Sequence, residues 1–501
     1  MEAQRVIIGL DVGTTAVKAV AFGIGSSRRA SAAREYPLIQ PQAGWQVQDP
    51  QRIAAAVVSA LAECVAACGD AQVLAVSLST AMHGLIGLDA DGRPMTPLVT
   101  WADGRALAQS AGLRKQGLDS IAYRISGVPN HPMSPLPKLI WFGQTEPELA
   151  GRVHSWVGLK DFVLLTLTGT LATELSSATG TGLLDLRSRS WSPVLLELAG
   201  VRLDQLPPIL SPTDSLPLAD AVAAATGLPP GLPVVAGAAD GPLGNLATGS
   251  LAAGVVGLSI GTSGALRLGV PEPVFDPGEK LFCFALTADQ WVLGSAISNG
   301  GSVLRWIGNL LADPSVPSGG NRDADLLALA ASVPAGSDGL VMLPYLLAER
   351  GPLWDPTLPG ALLGLRHRHT RAHLVRAAVE GVALQLSVIL DGLDELSPIT
   401  AVHATGGVFR SPLWQQVMAD ALNRPLLVTD GEAGTALGAA ALGLVSLGLA
   451  ADPEAGVAML APPTADRAYV QPQQPEVYRQ LRASIPALLA GYRELASVFE
   501  R

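Results

Sequence analysis

Cysteine is scarce in this chain: only Cys64, Cys68 and Cys283 occur in 501 residues. So sparse and odd a set excludes a disulfide framework. Cys64 and Cys68 lie four apart in an Ala-rich stretch. That spacing could suit a metal, but no second Cys or His pair stands nearby, so both read as small buried residues. Charge is also thin, at 15% of residues, and its balance is −10. A general nucleic-acid surface is thereby excluded. The densest basic stretch, Gly364–Arg376, reads as a solvated loop leading into a helix. No GxxxxGK[ST] occurs, nor a convincing GxGxxG opening a helix after a strand. Two widespread phosphate-binding solutions are therefore missing. No charged and apolar leader opens the sequence. The uncharged run Ala433–Ala451 is dominated by Ala and Gly, and reads as a buried helix rather than a membrane span. A cytoplasmic protein with no membrane or nucleic-acid partner is expected.

What is present is a large apolar fraction, 49%, in a chain long enough for two domains. The most informative feature is a repeat. Ile7–Ala16 reads IIGLDVGTTA, and Val255–Gly264 reads VVGLSIGTSG, half a chain later. The copies align without a gap. Each is followed by a second strand-like run, Val17–Phe22 and Ala265–Gly269. The pattern predicts two β-hairpins whose tight turns carry glycine and hydroxyl groups. Gly13 and Gly261 allow close approach of an anion, and exposed turn N–H groups can bond phosphate oxygens. Two matching copies imply two similar domains, each lending one phosphate loop.

The remaining pattern is that of an α/β chain. Val73–Leu78 and Leu232–Gly237 read as strands, and Pro50–Ala67 and His373–Ile389 as helices. Pro- and Gly-rich linkers fall near Leu206–Pro217, Asp313–Gly320 and Ala461–Pro463, and Pro475–Glu500 reads as a final polar-faced helix.

These paired hairpins resemble the phosphate motifs of the actin-like ATPase superfamily. More specific segments are similar to the FGGY family of carbohydrate kinases, over about residues 6–445. Gly44–Pro50 (GWQVQDP), Met133–Trp141 (MSPLPKLIW), Ala238–Gly241 (AADG), Leu343–Arg350 (LPYLLAER), Thr405–Gly407 (TGG) and Gly434–Ala440 (GTALGAA) carry the resemblance. It implies an α/β fold of two actin-like ATPase (ribonuclease H-like) domains, residues 1–246 and 247–501, with an interdomain catalytic cleft. Within the family, Ser79–Leu85 (STAMHGL), Thr100–Arg105 (TWADGR) and His131–Pro135 (HPMSP) resemble the members that phosphorylate gluconate. Gly84, Gly104 and Glu174 depart from that pattern.

The resemblance assigns roles residue by residue. Asp240, after the apolar run Val234–Ala239, is the expected general base, and also a metal residue together with Asp11. Gly13, Thr14, Thr15 and Lys18 form the first phosphate loop. Gly261, Thr262 and Ser263 form the second. Ser259 stands where the first repeat has Asp11, so one hairpin carries the carboxylate and the other does not. Gly300, Gly301, Gly406, Gly407 and Gly438 are expected on the nucleotide side. Met82, His83, Trp101 and Asp103 are expected to contact the polyol, with Arg105 and His131 as candidates for a substrate carboxylate. ATP and Mg²⁺ are the implied cofactors, and a small sugar acid the substrate. A homodimer is compatible with the sequence, which does not fix the oligomer. Another sugar or polyol kinase acting on xylulose is the nearest alternative. A non-catalytic nucleotide-binding regulator is the distant one, and the presence of Asp240, His83 and Asp103 argues against it.

Overall fold

The computed structural model describes residues 4–26, 29–311, 322–429, 434–461 and 469–496. They pack into two compact units. The first draws on Met1–Leu251, Gly269–Val292 and Glu432–Thr464, and the second on Ala252–Leu268, Leu293–Gly431 and Ala465–Arg501. The resemblance implies a single division, at 246/247. By packing, the chain re-enters the first unit twice.

The first unit is built on a six-stranded sheet. Its strands are β1 (Arg5–Val12), β2 (Ala16–Gly23), β3 (Arg29–Glu35), β4 (Gln72–Thr80), β5 (Ser215–Pro217) and β6 (Pro233–Ala239), in the order β5-β6-β4-β1-β2-β3. β1 and β2 form the expected hairpin, and β1, β4 and β6 run parallel. β1 is apolar at almost every position because both its faces are covered. Ile8 and Leu10 join a core with Ile53, Val57 and Leu61 of the helix Pro50–Cys68. Ile7 joins the opposite core, with Ala436, Leu437 and Ala440 of the helix Gly434–Ser446. The first helix starts where it does because Pro50 occupies the first turn and Asp49 accepts from the Gln51 N–H at 2.9 Å.

In the second unit, β7 (Val255–Ile260), β8 (Gly264–Val270), β9 (Trp291–Ile297), β10 (Ala401–Thr405) and β11 (Leu426–Val428) run in the order β9-β8-β7-β10-β11. Again a hairpin, β7 and β8, is followed by two parallel strands on the far side of its first member. The order and directions match β2-β1-β4-β6 of the first sheet, so the duplication seen in ten residues extends to the topology. The long helix Arg371–Leu396 forms the centre of this unit's helical layer.

Two helices, Pro50–Cys68 and Arg371–Leu396, are long and apolar enough to cross a membrane by length and composition. The second is mostly buried within its own unit. The Ala- and Gly-rich run is a helix, Gly434–Ser446, buried from Ala436 through Leu444. The three cysteines are buried and not joined in disulfides. The basic stretch is exposed from Leu365 to Arg368, but Arg376 is buried and pairs with Glu380 at 2.7 Å. The linker Asp313–Gly320 lies outside the described residues, as do Pro462–Pro463 and residues 497–500 of the expected final helix, which is described over Pro475–Ala496.

Candidate active site

The expected first phosphate loop is the turn between β1 and β2. Gly13 N–H donates to the Ala16 carbonyl at 2.9 Å and closes it. The turn's own carbonyls are then taken from outside. Gly13 O accepts from the Tyr36 hydroxyl at 2.6 Å, Thr14 O from Gln48 Nε2 at 2.5 Å, and Thr15 O from the Tyr36 N–H at 3.0 Å. A trans peptide points its N–H opposite to its C=O. Fixing the carbonyls of Gly13 and Thr14 therefore turns the N–H groups of Thr14 and Thr15 the other way, as an anion nest requires. Trp101 Nε1 donates to Thr14 Oγ1 at 3.0 Å, so an expected polyol contact is joined directly to the phosphate loop. Lys18 is exposed, on β2 opposite Asp11.

Asp11 and Asp240 come from different strands of one sheet. Asp11 pairs with Ser79 across β1 and β4, and Ser79 pairs with Ala238 across β4 and β6. Asp240 follows two residues later and opens the helix Asp240–Ala247. Both carboxylates thus lie at the carboxyl ends of parallel strands. Asp11 Oδ1 accepts from Ser79 Oγ at 2.8 Å, and Asp240 Oδ1 accepts from the Gly241 N–H at 2.8 Å. Burial raises the Asp11 carboxyl, opposed by its bonds to Ser79 and Thr435 and by the charges of Lys18 and Lys160.

A cavity beside this strand end is lined by Thr80, Met82, His83, Lys160, Asp161 and Ser177, among others. Met82 and His83 therefore lie where a substrate could reach them. His83 has φ of 64°, and its Nδ1 lies 2.8 Å from the Gly180 carbonyl, which marks Nδ1 as the proton-bearing nitrogen. A buried cation fastens this loop: Lys138 Nζ donates to His83 O at 2.7 Å and Thr100 O at 2.8 Å. Burial pulls the Lys138 ammonium down to about 7.

Asp103 and Arg105 are not among the residues lining this cavity. They bind each other. Arg105 Nε and Nη2 donate to the two Asp103 oxygens at 2.8 and 2.9 Å, and Gln46 N–H adds a third bond at 2.7 Å. The guanidinium stacks 3.8 Å from the Trp45 ring centre. This ion pair is buried, two residues beyond Trp101 at its acid end. It leaves Arg105 a poor candidate for a substrate carboxylate, because its fork is already filled. His131 is buried, with Nδ1 accepting from the Met133 N–H at 3.1 Å.

The second unit repeats the loop design. Gly261 N–H donates to Ser263 O at 2.9 Å. Gly261 O and Thr262 O accept from the N–H groups of Gly301 and Gly300 at 2.8 and 3.0 Å. A Cβ on Gly300 would sit 2.7 Å from the Ser263 carbonyl. Gly406, at φ 122°, abuts the end of β7, where a Cβ would lie 2.0 Å from the Ile260 carbonyl. Gly407 is open, with nothing within 4 Å of a built Cβ. Ser259, at the position matching Asp11, accepts from Arg267 at 3.3 Å. Gly438 packs in the first unit against the helix that Asp240 opens, where a Cβ would lie 2.5 Å from the Leu243 carbonyl. Helix packing accounts for that glycine.

Both halves of the chain match one family. The N-terminal domain of the FGGY family of carbohydrate kinases matches residues 6–247, and its C-terminal domain matches residues 256–447. The chain belongs to that family, with its two-domain actin-like fold, and is a carbohydrate kinase. It is similar to the gluconokinase of Bacillus subtilis (strain 168), 34% identical over 449 residues, or 88% of each chain. It is also similar to the xylulose kinase of Escherichia coli (strain K12), 32% identical over 96% of this chain and 100% of that one. Among solved structures, the gluconate kinase from Lactobacillus acidophilus superposes with a TM-score of 0.90, at 32% identity and 99% coverage of each chain.

The tight fit of Gly300 leads to a prediction. Gly300→Ala must push the Ser263 backbone, and with it the second loop. We expect kcat/KM for ATP to fall roughly 100-fold, as a misplacement near 1 Å costs. Steady-state kinetics with ATP varied checks this. A change of less than threefold would show that the loop does not position ATP.

Proposed function

We propose that this chain transfers the γ-phosphoryl group of ATP to the terminal hydroxyl of D-gluconate, giving 6-phospho-D-gluconate and ADP. The observation that carries the reading is the placement of Asp11 and Asp240 at the carboxyl ends of β1 and β6, the two strands flanking β4, beside a turn whose N–H groups point away from its bonded carbonyls. Asp240 accepts the hydroxyl proton as the oxygen attacks phosphorus, and the electron pair of the broken bond leaves with ADP. Thr14 and Thr15 offer peptide N–H groups to the phosphates from the first unit. The Gly261–Ser263 turn, Gly300, Gly301, Gly406 and Gly407 are assigned to the nucleotide in the second. Met82, His83 and Trp101 are assigned to the polyol.

Mg²⁺ fits this donor set. Among the described residues no group of three or more His, Cys, Asp or Glu could enclose a metal. Mg²⁺ needs no such cage, because it keeps waters and binds through one or two carboxylates plus phosphate oxygens. Asp11 would hold it, with Asp240 near. When bound there, it would supply neutralisation of charge on the transferring phosphoryl group. We place the reaction in the cytoplasm, where ATP is supplied.

Gluconate is favoured by the STAMHGL, TWADGR and HPMSP segments and by the similarity to a gluconokinase. The test is ADP release over gluconate, xylulose, ribulose and glycerol. We expect kcat/KM for gluconate to exceed that for xylulose by about 100-fold, since a site built to pair a polar group rejects substrates lacking it. Strong turnover on xylulose with none on gluconate would replace the substrate assignment.

A further inference from the structure

We propose that Lys160 is a positioning residue that sets the spacing between Asp11 and Asp240, by holding a bulge in the strand that leads to Asp240. The role rests on the kinase reading above, and the geometry behind it is independent of that reading. Lys160 lies in the first turn of the helix Leu159–Thr168 and is 1% exposed. Its Nζ donates to three carbonyls: Leu78 at 3.1 Å, Ala236 at 2.7 Å and Ala238 at 3.0 Å. An ammonium has three protons, so its donors are fully committed to backbone.

Those carbonyls flank an irregularity. β6 follows the register of β4 through Val235, slips, and resumes at Ala238. Gly237 sits in the slip at φ 67°, where a Cβ would lie 1.8 Å from the Leu78 carbonyl. A bulge of this kind disrupts the ladder and leaves backbone groups unpaired. Lys160 supplies the missing donors on both sides of the slip.

The bulge decides where Asp240 lands. With it, Ala238 stands opposite Ser79, whose hydroxyl holds Asp11. Without the extra residue, Asp240 would shift along the strand by about 3.3 Å. Every side chain beyond the slip would also turn to the other face. The same ammonium grips Leu78, next to Ser79, so one side chain ties the backbone beside both carboxylates. Glu174, with Oε1 3.9 Å from Nζ, supplies the counter-charge and is itself held by Ser176 and Ser177.

The experiment uses the full chain carrying Lys160→Met or Lys160→Gln, with competent sites counted by stoichiometric binding of a non-hydrolysable ATP analogue. We expect kcat per competent site to fall about 100-fold in Lys160→Met, with KM for ATP and gluconate within about threefold of the parent. Lys160→Gln, which keeps an amide donor, should fall between the two, and carries the test if Lys160→Met does not fold. Aminoethylation of Lys160→Cys, which restores an ammonium at this reach, should recover at least about tenfold of the loss. A lower melting temperature with unchanged kcat per site would reduce Lys160 to scaffolding and overturn the proposal. So would a raised KM at unchanged kcat. A crystal structure of the variant gives a readout apart from activity: Asp240 should move relative to Asp11, and superposable strand ends would overturn the proposal. Lack of turnover by the parent protein on any polyol would instead strike the kinase reading.

Discussion

Asp240→Asn is expected to lower kcat by about 1,000-fold while leaving gluconate and ATP binding nearly intact. The amide has the shape of the carboxylate and can still accept from the Gly241 N–H. It cannot take a proton from the attacking hydroxyl. The loss should therefore appear in kcat rather than KM, the signature of an interaction made only in the transition state. Coupled ADP release measures the first quantity and calorimetric titration with gluconate the second. Turnover within tenfold of the parent would remove Asp240 from the role of base. The helix it opens would then be the main reason for an acid at this position.

Asp103→Ala is expected to destabilise the first unit by about 3–5 kcal/mol, the usual cost of leaving a buried charge alone. Arg105 has a side chain only 4% exposed, and its guanidinium lies over the rings of both Trp45 and Trp141. Its positive charge has no route to water once the carboxylate is gone. Replacing both partners, Asp103→Leu with Arg105→Met, should recover most of the loss, because an apolar pair of similar volume is often as stable as a buried ion pair. Urea unfolding of the two variants and the parent gives the comparison. A single-variant loss below 1 kcal/mol would mean that water reaches the guanidinium after all, and would return Arg105 to the list of groups able to meet a substrate.

The contrast between these two acids shows what a sequence can carry. Asp240 was legible because it ends an apolar run and is followed by Gly and Pro, a context that puts a carboxylate at a strand end. The hairpins were legible because they occur twice. Asp103 is expected at the polyol and Arg105 at a substrate carboxylate, and in the structure the two pair with each other. Two opposite charges separated by one residue carry no mark that distinguishes mutual pairing from joint binding. Lys138 and Lys160 were passed over as site residues for a related reason. Each is a single cation in an apolar helical stretch, and its partners are backbone carbonyls, which every sequence has. One signal was available: a lysine inside LKDFVLL can be buried only if all three protons find acceptors. Gly438 is expected on the nucleotide side from the resemblance alone; its close contact with a second helix is a packing feature that the sequence does not mark.

The helix that contains Gly438 also bears on how the protein comes into being. Gly434–Ser446 covers one face of the sheet that starts at Arg5, and a Cβ on Gly9 would lie 1.9 Å from the Ala436 carbonyl. During synthesis that face has no cover until the ribosome has passed residue 446. β1 and β2, made long before that helix, therefore stay open to water on this face until it arrives, and a nascent chain has reason to need a chaperone on Ile7, Val20 and Phe22.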